Sequence, residues 1–271
     1  MRRISPIIPA FLLCFVSAVA VHAHELWIEP LEWQVEVGST LEAHVINGED
    51  FAGNRQPYLP NRIVMFNLFS ETRATRIQNR SGNTPALEAP AHGEGLHIAA
   101  YQSTPMTLNY DEWEKFVRFV EHKDLGDIGT MHDARGLSRD FFIETYTRFS
   151  KTLFAVGNGA GSDRRVGLET ELVALTNPYT DAGGGQVQAQ LFYQGQPRAD
   201  AQIEVFEKAS NGGVRIFLVR TNGDGIASVP VRSGHDYMLD AVVLREPTSQ
   251  LASVTDAVWE TLWANLTFHV P

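Results

Sequence analysis

The sequence predicts a mainly β fold: two immunoglobulin-like β-sandwich domains with a helical hairpin insertion between them. Three observations carry this. Period-two alternation runs from His24 to about Gln102, helical spacing takes over between Tyr110 and Leu153, and seven or so short strand patterns fill the last hundred residues. With 271 residues, 44% of them hydrophobic, the chain can bury a sizeable core. A formal charge of −10 argues against a nucleic-acid partner, because binding phosphate needs a basic face.

Residues 1–23 read as a signal peptide. Arg2 and Arg3 make a basic start, Ile7 to Ala20 is an apolar run, and Val21-His22-Ala23 supplies small residues at a cleavage site. The run is short for an uncleaved span. Cys14 lies inside it rather than after small residues, which argues against a lipoprotein. Cleavage after Ala23 is the first expectation and after Ala20 the next. Loss of Arg2 and Arg3 leaves 20 basic against 32 acidic residues, a charge of −12. The expected product is acidic, cysteine-free and exported to the periplasm.

The N-terminal sandwich is assigned to 24–106. Leu41, Ala43 and Val45 alternate with Glu42 and His44, Ile63 to Phe69 suits a central strand, and Leu96, Ile98 and Ala100 share one face. The helical insertion is assigned to 107–156. Tyr110, Trp113, Phe116 and Val120 define one helix with Asn109 as its N-cap. Phe142, Tyr146, Phe149 and Leu153 define a second, with a polar loop at 126–136 between them. Gly157-Asn158-Gly159-Ala160-Gly161 lacks a following apolar helix and reads as a linker or wide turn, not a phosphate loop. The C-terminal sandwich is assigned to 167–271. Within it, Thr221-Asn222-Gly223-Asp224-Gly225 lacks the oxygen ligands of a calcium loop and reads as a tight hairpin turn.

The strongest chemical feature is positional. Cleavage after Ala23 makes His24 the first residue, so its α-amine and imidazole can close a chelate on one metal ion. Both groups shed protons readily when a metal competes. Nitrogen donors suit nickel and copper, and copper wins where geometry does not decide. Of the remaining histidines, His97 lies opposite the apolar face of its strand, and His235 starts a strand with Asp240 nearby. His122 and His132 flank the hairpin loop as mobile candidates. No His-x-His or His-Glu-x-x-His pair follows residue 23, and no Gly-x-Ser-x-Gly elbow occurs. Glu144, Arg148 and Lys151, about one helical turn apart, read as an ion-paired helix face.

His24-Glu25-Leu26-Trp27-Ile28-Glu29-Pro30 after an export signal resembles the start of the DUF4198 family. The similarity continues through Tyr101-Gln102-Ser103, Glu144-x-Tyr146-x-Arg148-x-x-Lys151, Asn177-Pro178, Gly195-Gln196-Pro197, Gly234-His235 and Trp263-Ala264-Asn265-Leu266-Thr267-Phe268. The resemblance implies a periplasmic, non-enzymatic accessory protein associated with nickel and cobalt uptake. The expectation is therefore capture of a divalent transition metal, nickel or cobalt first and copper next. Its ligands would be His24, His97 and, more distantly, His235. Its partner would be a separate membrane metal transporter or another envelope protein. Two rivals stand beside it: a copper protein or copper oxidase using an N-terminal histidine, and a metal-free envelope binding module.

Overall fold

The computed structural model describes residues 24–271, and the expected signal peptide at 1–23 lies outside them. The described chain is mainly β, as expected. One four-stranded sheet is built from Glu25–Pro30, Thr40–Glu49, Ala52–Gln56 and Leu87–Pro90. A second uses Thr170–Ala174, Gln186–Tyr193, Gln196–Pro197 and Ile226–Pro230. Both pack on a ten-stranded sheet whose members come from both halves of the chain. Its centre is the strand Phe142–Val156, paired in parallel with Trp259–Val270 and antiparallel with Gly95–Ser103 and Met106–Tyr110.

The central strands are covered on both faces. Ile98 and Leu153 enter a core shared with Leu172, Leu191 and Leu239, whereas their neighbours Ala99 and Phe154 enter a core with Ile28, Leu41 and Val45. This corrects the second expected helix. Phe142, Tyr146, Phe149 and Leu153 are spaced like one helix face, yet they lie on a 15-residue strand. A strand buried on both faces loses its polar alternation, so periodicity cannot distinguish it from a helix.

The helical insertion is correspondingly smaller than 107–156. It consists of Trp113–His122 and Ile128–Ala134. Asn109 is not a cap but a strand residue, and Glu112 holds the N-cap position with no side-chain capping bond. The expected loop at 126–136 holds the second helix, started by Asp127, whose carboxylate accepts from the Thr130 N–H. The helices bury Phe116, Phe119 and Ile128 against Phe142, Trp259 and Trp263. Thr221–Gly225 is a turn, with Asn222 accepting from the Asp224 and Ile226 N–H groups. It closes no hairpin, because the strands on either side belong to different sheets.

Gly157 to Gly161 is a wide turn tied firmly in place. The Asn177 amide donates to the Gly159 and Gly161 carbonyls, and Gly159 has φ +62° with no room for a Cβ against Ala155. Beyond it the chain is anchored by Lys151. This ammonium is fully buried, 2.9 Å from Asp163 and 3.2 Å from Glu171, and it donates to the Arg164 and Leu172 carbonyls. Glu171 in turn accepts from the Val166, Gly167 and Leu168 N–H groups. Removing one partner of a buried pair leaves an uncompensated charge, at a cost of about 3–5 kcal/mol. Lys151→Met is expected to lose stability of that order in urea unfolding, and a loss below about 1 kcal/mol would refute this anchoring role.

Candidate functional site

The register of the first sheet fixes where His24 stands. Glu25 pairs with Gly48, so His24 sits at the end of the first strand beside Asn47 and Glu49. Its ring is largely exposed, and Nε2 lies 3.7 Å from the Glu49 carboxylate. Nδ1 is the ring nitrogen on the side of the main chain. His24 also lines a cavity of about 370 Å³ between the helix Trp113–His122 and the end of the ten-stranded sheet.

The other two expected ligands lie elsewhere. His97 is completely buried, with Nδ1 3.1 Å from the Gly95 carbonyl and Nε2 accepting from the His92 N–H at 3.0 Å. Both ring nitrogens are thereby used. In the first sheet Gly48 faces Glu25, whereas Thr40 faces Pro90, two residues before His92. Those levels are eight residues apart on one strand, about 26 Å at roughly 3.3 Å per residue. His24 and His97 therefore cannot share an ion. His235 is half-buried at a strand start, with Nδ1 3.0 Å from the Ser233 carbonyl and Nε2 3.9 Å from Glu207. Asp240 lies five residues further along that strand, about 17 Å away at the same rise. His132 is not mobile: it is buried between the Trp259 N–H and the Ser138 carbonyl.

What does gather beside His24 is charge. Lys123, at the C-terminal end of the helix Trp113–His122, sits in a nest of three buried carboxylates from three strands. Its ammonium is 3.1 Å from Glu25, 2.6 Å from Glu204 and 2.9 Å from Asp240. The three acids lie close enough to hold a metal ion, but the ammonium already occupies the position such an ion would take. They act as a lysine cage. Burial pushes Glu25 up to about 7 against the pull of Lys123, and burial raises Asp240 as well. Burial would also raise Glu204, but its bonds to His122 and Lys123 outweigh this and hold it at about 2. The His122 ring, 3.2 Å from Glu204, is raised by that bond. Burial works against the charge on Lys123, and the three acids more than restore it.

The cavity lined by His24 is floored by one strand. Glu144, Tyr146 and Arg148 are alternate residues of Phe142–Val156, so they project from the same face. All three line the cavity, together with Tyr110, Phe119 and Trp263. The Arg148 guanidinium stacks on Trp263 at 3.9 Å and lies 5.0 Å from the Tyr146 ring. Glu144 accepts a hydrogen bond from the Thr261 hydroxyl, and Thr261 itself accepts from the Trp263 N–H at 3.0 Å. Burial pushes the Glu144 carboxyl up to about 7 despite these bonds. Sequence reasoning missed Glu49, Lys123 and the role of Arg148. The signal for the last was the i, i+2, i+4 spacing of Glu144, Tyr146 and Arg148, which is the period of a strand face.

Glu144 supplies a pH test. A carboxyl whose folded pKa is raised stabilises the fold most below its unfolded pKa, and that contribution is lost as pH rises through the folded value. The window here is about pH 4.5 to 7. Relative to Glu144→Gln, wild-type stability is expected to fall by about 1–3 kcal/mol between pH 5 and pH 8, since each tenfold change in proton affinity is worth roughly 1.4 kcal/mol. Parallel pH dependences in denaturant melts of the two proteins would contradict the raised pKa.

The family model DUF4198, described as a domain of unknown function, matches residues 21–245. The Trp263–Phe268 segment lies beyond that span. A solved structure of a tetra-tandem repeat in the extending region of a large adhesion protein is similar at 10% identity, with a TM-score of 0.20. The alignment covers 91% of this chain and 49% of that one, so the chain spans about half the length of that structure. No curated protein matches.

Proposed function

The chain belongs to the DUF4198 family, and from that premise we propose that its exported form captures a divalent transition metal at His24 for delivery to a separate membrane transporter. Once processing frees the α-amine, amine and imidazole Nδ1 close a chelate ring. Nickel and cobalt are the expected cargo, with copper the strongest competitor for such donors. The observation that carries the reading is the position of Glu49. Its carboxylate lies 3.7 Å from Nε2, the ring nitrogen that the chelate does not use. Metal-bound histidines commonly offer their second ring N–H to a carboxylate, which orients the ring and makes the ligating nitrogen more basic.

In this reading the ligand set is His24 alone. His97 and His235 take no part, and His122 is engaged with Glu204. The lysine cage next door serves as a support: it holds Glu25, and through it His24, at the cavity mouth.

A competitive titration of Ni²⁺ and Cu²⁺ into protein whose His24 terminus is verified by intact mass tests this. A one-to-one site is expected that is lost in His24→Ala and when one extra residue precedes His24. Glu49→Ala is expected to weaken it about tenfold, the low end for an outer-shell partner. Affinity indifferent to the terminus and to His24 would end the metal reading.

A further inference from the structure

Arg148 is the side chain in this cavity whose chemistry the fold leaves unused. It is 7% exposed, and its Nε and Nη1 meet no hydrogen-bond acceptor among the described residues. Burying a guanidinium without acceptors is costly, because water's hydrogen bonds are lost and not replaced. The neighbouring acids do not supply them. Glu25 and Asp240 each give one oxygen to Lys123, and although both charges act on the guanidinium, neither is hydrogen-bonded to its Nε or Nη1. Glu144 commits one oxygen to Thr261, and its other oxygen makes no well-formed hydrogen bond, although the Tyr110 hydroxyl lies close enough to favour its charged form. The stacking on Trp263 and Tyr146 holds the guanidinium flat but satisfies none of its N–H groups.

These groups border a cavity of about 370 Å³, at the small end of the roughly 300–1,000 Å³ of ligand pockets. Its walls include the rings of Tyr110, Tyr146, Phe119 and Trp263. Aromatic walls around a few convergent polar groups are the usual composition of a small-molecule site. The arginine fork matches a carboxylate, which can take two parallel N–H bonds from it. A dianion fits less well, because the other cation lining the cavity, Lys115, is already paired with Glu112 at 2.7 Å and Asp111 at 3.9 Å.

We propose that the cavity binds a small organic carboxylate with a planar apolar body, its carboxylate on Arg148 and its body against the aromatic walls. The ligand accepts from the Arg148 guanidinium, and the Glu144 carboxyl offers a second bond through the oxygen that Thr261 does not use. Burial keeps that carboxyl protonated to near neutral pH, so it can donate. The site goes beyond metal capture and does not depend on it, since none of the groups named here is a metal donor in that reading.

Benzoate and its neutral amide, benzamide, separate the outcomes when titrated calorimetrically into the processed protein in a buffer containing a metal chelator. Benzoate is expected to bind one-to-one at least tenfold more tightly than benzamide. Arg148→Lys keeps the charge without the fork and is expected to lose at least tenfold. Should Arg148→Lys fail to fold, the benzoate-to-benzamide ratio on the wild-type protein decides alone. Equal affinities, no benzoate binding, or an unchanged affinity in folded Arg148→Lys would each overturn the proposal.

Discussion

A single buried ammonium holds the end of this molecule beside His24 together. Lys123 draws Glu25 from the first strand, and Glu204 and Asp240 from two strands of the large sheet, into one nest at the end of a helix. Each of these charges would be costly to bury alone, so none of the four elements can leave without stranding the others. The helix end itself favours a cation, since its last carbonyls carry partial negative charge. Lys123 and Asp240 are 117 residues apart in the chain, so the cage ties the two halves of the chain to the helix that covers the cavity.

The second constraint is the central strand Phe142–Val156. Because both of its faces are covered, its residues are shared among several cores: Phe142 and Tyr146 pack with the helices, Phe149 with Leu168 and Leu262, and Leu153 and Phe154 in the two cores on opposite faces. At its N-terminal end the covering layer is the helical pair rather than a sheet, and there the alternating residues Glu144, Tyr146 and Arg148 meet a cavity instead of close packing. Further along, the same strand uses Lys151 to secure the connection between the halves. One strand thus carries both an anchoring cation fully matched by acids and a cavity-lining cation that is not. The contrast between Lys151 and Arg148 is the reason to read the first as structure and the second as a binding group.

The metal reading and the carboxylate reading occupy one cleft by different means. His24 stands at the mouth on the end of the first strand, beside Glu49. Arg148 lies on the floor, stacked on Trp263. The lysine cage sits beside both and contributes rigidity, its carboxylates being directed at the ammonium.

By itself the sequence determined the fold class and the first helix, because each rests on local pattern: alternation in half-buried strands and amphipathic spacing around Phe116. The family resemblance was legible for the same reason, in short motifs such as His24-Glu25-Leu26-Trp27. Only the tertiary structure decided what surrounds His24. His97 and His24 share a sandwich but lie at opposite ends of it, and strand register, not spacing in the chain, sets that separation. Glu49 reaches the cleft through the pairing of the first strand with Thr40–Glu49, and Lys123 through a contact with Glu25 across 98 residues; no local pattern reports either. The run from Phe142 to Leu153 concealed its own identity, because burial on both faces erased the polar period that marks a strand. With that period hidden, the shared face of Glu144, Tyr146 and Arg148 became visible only once the strand was in place.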